Sequence, residues 1–190
     1  SSAATTAVPL EVSDDPCWVL LSSTGLLART ATPERPVGGD ARARHDVIVS
    51  AVQTTARDEI GAVTSAGRVL RLPVLDLPAL PPTASGPSLA GGAPLAELVA
   101  LRDGERVLAL MNLAADGPGL ALGTARGVVK RVVPDRPGNR DEWEVIRLDE
   151  GDAVVGAAAL ATGEEDLVFI TSEAQLLRFP AASVRPQGRP

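Results

Sequence analysis

Arginines recur at one position of a short repeated pattern in this sequence. The pattern has a hydroxyl residue, then Gly or Ala three positions later, then Arg four positions after that. Its copies begin at residues 22, 64, 124 and 171 and end at Arg29, Arg71, Arg131 (preceded by Lys130) and Arg178. A guanidinium group forms planar, forked contacts with phosphate and stays charged in any surroundings. An ordered set of such groups is therefore a candidate for contacting a nucleic-acid backbone.

Two roles for these recurrent arginines remain open at this point. If the repeats close into a ring, equivalent arginines lie at intervals along its rim, where a duplex could follow them without base readout. Alternatively, each arginine packs its stem on the neighbouring repeat and pairs with a carboxylate. The periodicity favours neither role. The preference for Arg over Lys is equally consistent with the codon usage of a GC-rich genome.

The elements that must position the arginines are short strands. Each copy of the pattern is typical of a hairpin with a tight turn. The last two copies align when the chain is shifted by 47 residues, which places Gly104 on Gly151 and Arg131 on Arg178. Four short strands repeating at about 40–50 residues indicate a propeller-type blade, which neighbouring blades must cover. Residues 95–101 are predicted to form a strand, because their counterpart at 142–148 alternates in polarity.

The fold class predicted is therefore all-β, with almost no helix. We expect a single domain over residues 1–190, with blade-like units at about 10–36, 46–78, 95–136 and 142–190. Aromatic residues make up only 2% of the chain, so the core must be aliphatic. Residues 77–96 carry no charge and are rich in Pro, Ala, Gly and Ser, which predicts an extended connector pressed against the body.

Other chemistry has little support in the sequence. The single Cys17 excludes an internal disulfide and is read as a small buried hydrophobe in a reducing compartment. His45 has no visible partner for a catalytic triad or a metal site. The acids at 141–142 and 164–166 fall in predicted turns and are read as solvated charge. No catalytic residue, metal site, signal peptide or membrane partner is predicted, and the net charge of −6 argues mildly against bulk attraction to a polyanion.

Three stretches resemble a known family. They are residues 120–131, the run Leu167-Val168-Phe169-Ile170-Thr171-Ser172, and residues 177–189, which include Arg-Pro-Gln-Gly-Arg at the end. They resemble the C-terminal domain of the type IIA topoisomerase A subunit. That family comprises the A subunits of bacterial DNA gyrase and topoisomerase IV. The resemblance covers nearly the whole chain, from about Leu10 to Pro190.

The resemblance implies a β-pinwheel, a propeller-like disc whose blades exchange strands and whose basic outer edge bends DNA. Four blades would make this a partial or shortened disc. The implied partners are double-stranded DNA, the ATPase subunit, and the rest of the A subunit, in the cytoplasm and associated with the nucleoid. No cofactor is implied within this domain. The family's catalytic residue is a tyrosine, and this chain has none, so it is expected to be a binding module rather than an enzyme.

Two departures from the gyrase pattern concern DNA wrapping. In gyrase a Gln-Arg-Arg-Gly-Gly-Lys-Gly box follows the first blade, and residues 35–41 match it only at Gly38 and Gly39. The connector at 77–96 also lacks basic residues. Both departures favour a topoisomerase IV-like domain that presents a DNA segment without a full wrap.

The predicted phosphate contacts are Arg29, Arg71, Lys130, Arg131, Arg178, Arg185 and Arg189. The alternative to DNA binding is a propeller-like scaffold for protein interaction, which is consistent with the acidic net charge and the uncharged connector. A propeller-fold hydrolase would require acids converging in a central channel, and acids located in turns do not suggest one.

Overall fold

The computed structural model describes residues 12–36, 46–82, 88–171 and 173–190 and confirms the all-β class. Its strands are β1 Pro16–Ser22, β2 Leu26–Thr30, β3 Ile48–Thr55, β4 Glu59–Thr64, β5 Arg68–Pro73, β6 Ala79–Leu80, β7 Ala93–Pro94, β8 Val107–Asn112, β9 Leu120–Thr124, β10 Val129–Val132, β11 Glu142–Glu144, β12 Val154–Ala159, β13 Asp166–Ile170, β14 Leu176–Pro180 and β15 Pro186–Gln187. Short 3₁₀ turns cover Val74–Asp76, Leu89–Gly91 and Ala181–Ser183. No helix in these ranges is long and apolar enough to cross a membrane.

The prediction of a strand over residues 95–101 is wrong, because a one-turn helix, α1, occupies Leu95–Leu98. The N–H of Val99 donates to the carbonyl of Leu95 at 3.1 Å and closes this turn. Leu95 is buried, and Leu98 and Val99 pack against the same cluster. Apolar residues at i, i+3 and i+4 form one face of a helix, and that spacing decides the local structure here.

The four hairpins share one turn geometry. They are hairpin 1 (β1–β2), hairpin 2 (β4–β5), hairpin 3 (β9–β10) and hairpin 4 (β13–β14). In each turn the N–H of the residue three positions after the hydroxyl residue donates to that residue's carbonyl, at 3.0–3.1 Å. The donor has a positive φ in every turn: 84° at Gly25, 76° at Gly67, 83° at Gly127 and 58° at Ala174.

Ala174 is the position in these turns where the backbone is strained, because a Cβ disfavours the left-handed region. We expect Ala174→Gly to raise the free energy of unfolding by about 0.5–1 kcal/mol, since relief of strain exceeds the extra freedom of Gly in the unfolded chain. The matched control is Gly127→Ala, whose added Cβ would have no atom within 4 Å. It should lower stability by a similar amount. Urea unfolding of both variants tests this, and a destabilised Ala174→Gly protein would contradict it.

The sheets are assembled across the hairpins. The first sheet has the order β3-β1-β2-β6, with β7 also paired to β2, the second β11-β5-β4-β8, and the third β12-β9-β10-β15. Each of hairpins 1–3 therefore pairs with the strand leading to the next hairpin and with a strand that returns from later in the chain. We call the stretches that carry β6, β11 and β15 the returning segments: residues 74–80, 134–144 and 181–187. The strand exchange implied for a β-pinwheel is thus observed.

Aliphatic side chains fill the seams between hairpins, as the composition predicts. Between hairpins 1 and 2, Leu21 and Leu27 are buried against Ile60 and Leu70. Aromatic rings also contribute, since Trp143 is buried between hairpins 2 and 3 and two phenylalanines lie between hairpins 3 and 4. There Phe169 and Phe179 meet edge to face, with ring centroids 5.8 Å apart.

The described residues within 77–96 press against the body as predicted, but they are not extended throughout, because Leu89–Gly91 form a 3₁₀ turn and α1 begins at Leu95. Leu80 and Leu89 are buried against Leu20 and Ala28, and they cover the face of hairpin 1 that points away from hairpin 2. Cys17 is also buried, and burial raises the pKa of its thiol. The interpretation of Cys17 as a buried hydrophobe agrees with this placement.

Candidate nucleic-acid interface

Arg29, the first recurrent arginine, binds the returning segment that completes its own sheet. Its Nε donates to the carbonyl of Leu77 at 3.3 Å, and its backbone N–H donates to the carbonyl of Pro78 at 2.9 Å. These two residues lead directly into β6, which pairs in parallel with β2. The half-buried guanidinium therefore holds residues 74–80 against hairpin 1.

Arg71 makes the same kind of contact with the second returning segment. Its Nε donates to the carbonyl of Arg140 at 2.9 Å, and its Nη2 donates to the carbonyl of Pro137. Its Nη1 donates to Glu59 at 2.6 Å, and its guanidinium carbon lies 5.5 Å from the centroid of the Trp143 ring. Every nitrogen of this nearly buried side chain is therefore occupied within the protein.

Arg131 repeats the arrangement in the third sheet with longer bonds. Its Nη1 donates to the carbonyls of Ala181 and Gly163, both at 3.5 Å, and its Nη2 donates to the carbonyl of Pro118 at 3.3 Å. Ala181 begins the returning segment whose strand, β15, pairs in parallel with β10. The neighbouring Lys130 donates to the carbonyl of Val145 at 2.8 Å, and burial lowers its pKa.

The other three predicted contact residues lie at the surface. The side chain of Arg178 is 67% exposed, and its Nη2 bonds Asp166 at 3.1 Å. Arg185 is exposed and has no side-chain partner among the described residues. Arg189 is about one-third exposed and bonds Asp135 through Nε.

The predicted set thus divides into two groups. Arg29, Arg71, Lys130 and Arg131 bind backbone carbonyls within the fold, and Arg71 also has the carboxylate partner that the alternative role requires. Arg178, Arg185 and Arg189 present charged groups to solvent in the last part of the chain. The seven residues therefore differ in exposure, since the first four are partly buried and the last three are exposed.

The structure contains a buried ion network near the turn of hairpin 2 that the sequence analysis did not predict. Arg68 donates to Glu105 through Nε at 2.7 Å and through Nη2 at 2.6 Å, and it also pairs with Glu142. Glu105 accepts further bonds from the hydroxyl of Thr64 at 2.6 Å and the N–H of Arg102 at 2.8 Å. The side chains of Arg68 and Glu105 are only 4% and 2% exposed. The guanidinium of Arg68 holds the pKa of Glu105 at about 2.

The repeat contains a signal for one half of this network. A shift of 47 residues places Glu105 on Asp152, which accepts hydrogen bonds from the N–H of Arg126, in the turn of hairpin 3, and from that of its neighbour Ala153. An acid at this repeat position therefore binds a hairpin turn. Arg68 has no counterpart in the other hairpins, so the repeat could not reveal it.

Both acidic stretches interpreted as solvated turns contribute residues to strands. Glu142 lies in β11 and pairs with Arg68, and Asp166 begins β13. Burial alone would raise the pKa of Glu165, but N–H bonds from the loop residues 161–163 outweigh it and hold that pKa at about 2. Within the described ranges no group of three or more His, Cys, Asp or Glu could hold a metal ion. His45 lies outside the described residues.

Known proteins share this fold. The C-terminal domain of a DNA topoisomerase IV superposes with a TM-score of 0.68 at 19% identity, over 94% of this chain and 55% of that one. The C-terminal domain of E. coli ParC gives 0.61 at 21% identity, over 92% and 70%, and that of DNA gyrase A gives 0.51 at 20%, over 92% and 58%.

Sequence comparisons agree with this likeness. The DNA gyrase A subunit of Mycolicibacterium smegmatis is 31% identical over 185 residues, which span 90% of this chain and 21% of that protein. Its counterpart in Streptococcus pyogenes serotype M3 is 27% identical over 191 aligned residues, 94% of this chain and 22% of that protein. The chain thus spans about a fifth of these relatives' length. A family model described as DNA gyrase C-terminal domain, beta-propeller, matches residues 58–113, 144–161 and 165–190, more than half of the chain. The chain therefore belongs to the family of DNA gyrase C-terminal domains.

Proposed function

We propose that this chain binds and bends double-stranded DNA as an accessory domain of a type IIA topoisomerase A subunit. Family membership carries this proposal. The exposed arginines at 178, 185 and 189 supply the charge that phosphate contacts require, and such contacts position a duplex without reading its sequence. The proposed protein partners are the ATPase subunit and the rest of the A subunit, in the bacterial cytoplasm at the nucleoid.

The two groups of basic residues have different tasks in this proposal. Arg178, Arg185 and Arg189 contact phosphates directly. The arginines that bind returning segments act by positioning, since the bond from Arg131 to Ala181 holds the stretch that leads to Arg185. In this proposal the seven basic residues remain one functional set, of which three contact DNA and four position the segments that carry or support those contacts.

The domain is proposed to present a DNA segment without a full wrap, as in topoisomerase IV. Of the degenerate box at 35–41, only Arg35 and Pro36 are among the described residues, and the Arg35 guanidinium lies 5.8 Å from the centroid of the Trp18 ring. The uncharged connector covers hairpin 1 with Leu80 and Leu89 and offers no cations there. Catalysis is assigned to the rest of the parent enzyme, because this chain has no tyrosine, and no cofactor is assigned to the domain.

The direct test replaces Arg178, Arg185 and Arg189 together by Ala. Each lost phosphate contact should reduce the log–log slope of affinity against salt by about 0.9, so the slope falls by about 2.7 in total. Affinity should fall about equally for unrelated duplexes, measured by mobility shift on linear DNA and on minicircles across a salt series. The matched control replaces three exposed arginines elsewhere, Arg57, Arg106 and Arg147. Equal losses in both triple variants would show that only net charge matters and would contradict the assigned contacts.

Arg131→Ala should separate positioning from contact. We expect it to lower the free energy of unfolding by about 1–2 kcal/mol, because the carbonyls of Pro118, Gly163 and Ala181 lose their charged donor. DNA affinity should fall because the segment that leads to Arg185 is held less firmly, but the salt slope should fall by less than the step of about 0.9 expected for a lost direct contact. Urea unfolding and the same mobility-shift series measure the two effects. A reduced slope with unchanged stability would instead identify Arg131 as a phosphate contact.

A further inference from the structure

Two of the returning segments carry a five-residue stretch of the same outline. The first stretch, residues 136–140, is Arg-Pro-Gly-Asn-Arg, and the second, residues 185–189, is Arg-Pro-Gln-Gly-Arg. Each begins with Arg-Pro, ends with Arg and has one glycine in between. A Cβ added to Gly138 or to Gly188 would meet no atom within 4 Å. The backbone of both stretches is therefore open to the close approach of a ligand.

The first stretch is fixed to the end of hairpin 2 that lies away from the hairpin turn. Arg136 donates to Glu59, the first residue of β4, at 2.9 Å. Arg71 donates to two carbonyls of the stretch, those of Pro137 and Arg140. These bonds hold the stretch near both of its ends, so its backbone is ordered before any ligand binds.

The two stretches adjoin each other. The Nε of Arg189 donates to Asp135, the residue directly before the first stretch. The N–H of Val133 donates to the carbonyl of Gln187 at 2.9 Å. The second stretch thus runs beside the residues that lead into the first. The surface that carries Arg185 and Arg189 therefore continues into the first stretch.

Each stretch has one arginine that is paired with an acid and one that is not. Arg136 and Arg189 are the paired ones. Arg140 and Arg185 are exposed, and neither side chain has a hydrogen-bond or ion-pair partner among the residues that the structure describes. A free guanidinium has all of its N–H groups available for a phosphate, with which it forms forked, charge-assisted bonds.

We propose that the first stretch is a second phosphate-binding site, in which the guanidinium of Arg140 contacts the backbone of the same duplex that Arg185 and Arg189 contact. Arg136 is a positioning residue, because its acid pair holds the stretch in place. The inference rests on the proposed function, since its ligand is the backbone of double-stranded DNA. The unit that repeats along the DNA is then the Arg-Pro stretch of a returning segment, and the recurrent arginines of hairpins 1–3 hold those segments.

Arg140→Ala should lower the log–log slope of DNA affinity against salt by about 0.9, the step for one phosphate contact. Combined with Arg185→Ala it should lower the slope by about 1.8. Arg140→Lys keeps the charge and should keep the slope. The free energy of unfolding in urea should not change, because these side chains have no described partner to lose. The matched control is Arg147→Ala, which removes another exposed arginine and should leave the slope close to that of the unsubstituted protein.

A chemical nuclease tethered to a cysteine locates the duplex directly. Gly138→Cys and Gly188→Cys add side chains where there is open space, and the native Cys17 is only 2% exposed, so it does not compete for the reagent. Loaded with iron–EDTA, both variants should cut bound duplex DNA. The control is Arg106→Cys, because the N–H of Arg106 donates to Ser65 at the turn of hairpin 2, the opposite end of that hairpin from the first stretch. It should give no cuts.

Two results would overturn this inference while the proposed function stands. One is an unchanged salt slope in Arg140→Ala when the unsubstituted protein binds DNA. The other is cutting by the Gly188→Cys variant without cutting by the Gly138→Cys variant. If the unsubstituted protein retains no duplex DNA even at low salt, the proposed function itself fails, and the second site fails with it.

Discussion

Replacing Glu105 by Gln should lower the free energy of unfolding by about 3 kcal/mol, the lower end of the range for breaking a buried ion pair. Arg68 is 4% exposed, so water cannot replace the carboxylate that receives two of its N–H groups. The remaining partners of Arg68, the Glu142 carboxylate and the carbonyl of Ala100, keep part of the compensation. The bond from Thr64 does not depend on charge and should survive.

Acid should weaken the native protein through the same carboxyl group. Its pKa is about 2 in the folded state and about 4.5 when unperturbed. A carboxyl whose pKa is lowered by folding stabilises the protein above the unfolded pKa, and this stabilisation is lost as pH falls through the folded pKa. Stability should therefore fall between pH about 4.5 and about 2, and Glu105→Gln should show a shallower fall. Glu165, whose pKa is also about 2, leaves a residual slope in the variant.

Urea unfolding at pH 7 and at steps down to pH 2.5 measures both effects. The control is Glu164→Gln, which removes an exposed carboxylate close to the last hairpin. It should leave the free energy of unfolding at pH 7 close to that of the unsubstituted protein. If the free energy of unfolding fell equally with pH in the protein and in Glu105→Gln, Arg68 would not lower the pKa of Glu105. The network would then contribute only packing.

Phe169→Ala should lower the free energy of unfolding by about 3–5 kcal/mol, as expected for deleting a buried aromatic ring. The ring packs directly on Gly156 and Gly123 and meets Phe179 edge to face. Both glycines lie in strands of the third sheet, held by hydrogen bonds to neighbouring strands. These strands cannot move inward to fill the space, so a cavity remains.

The loss of stability should be confined mainly to the seam between hairpins 3 and 4. Hydrogen exchange should accelerate more for amides of β13 and β14 than for those of β4 and β5, because Phe169 belongs to the cluster that joins the last hairpin to the rest. Val168→Ala is the matched control, since Val168 is the preceding residue and points to the exposed face. A loss of unfolding free energy below about 1 kcal/mol, or an equal acceleration of hydrogen exchange in all strands, would contradict this account.

The hairpins could be predicted from sequence because their determinants are local. A hydroxyl residue, a positive φ three positions later and a hydrogen bond between the two lie within one turn. The shift of 47 residues and the shortage of aromatic residues then indicate a stack of aliphatic blades. The tolerated exception is Ala174, which adopts the left-handed conformation of its glycine counterparts at an energetic cost.

The partners of the recurrent arginines could not be predicted, because they are distant in the chain. Arg71 and Pro137 are 66 residues apart, and Arg68 and Glu105 are 37 apart. Periodicity shows that a position repeats but does not show which carbonyl or carboxylate reaches it. The strand prediction for residues 95–98 was wrong for a different reason. The apolar spacing of Leu95, Leu98 and Val99 is helical, and comparison with a repeat counterpart concealed it.

The order in which the sheets obtain their last strands has a consequence for synthesis on the ribosome. The first sheet is complete only when Leu80 has left the exit tunnel, the second only after Glu144, and the third only after Gln187. While these residues are being synthesised, the sheet of each hairpin therefore stays incomplete until the next hairpin and the segment after it have emerged. The third sheet therefore closes only after hairpin 4 and the segment that follows it have been made, and not when hairpin 3 itself appears.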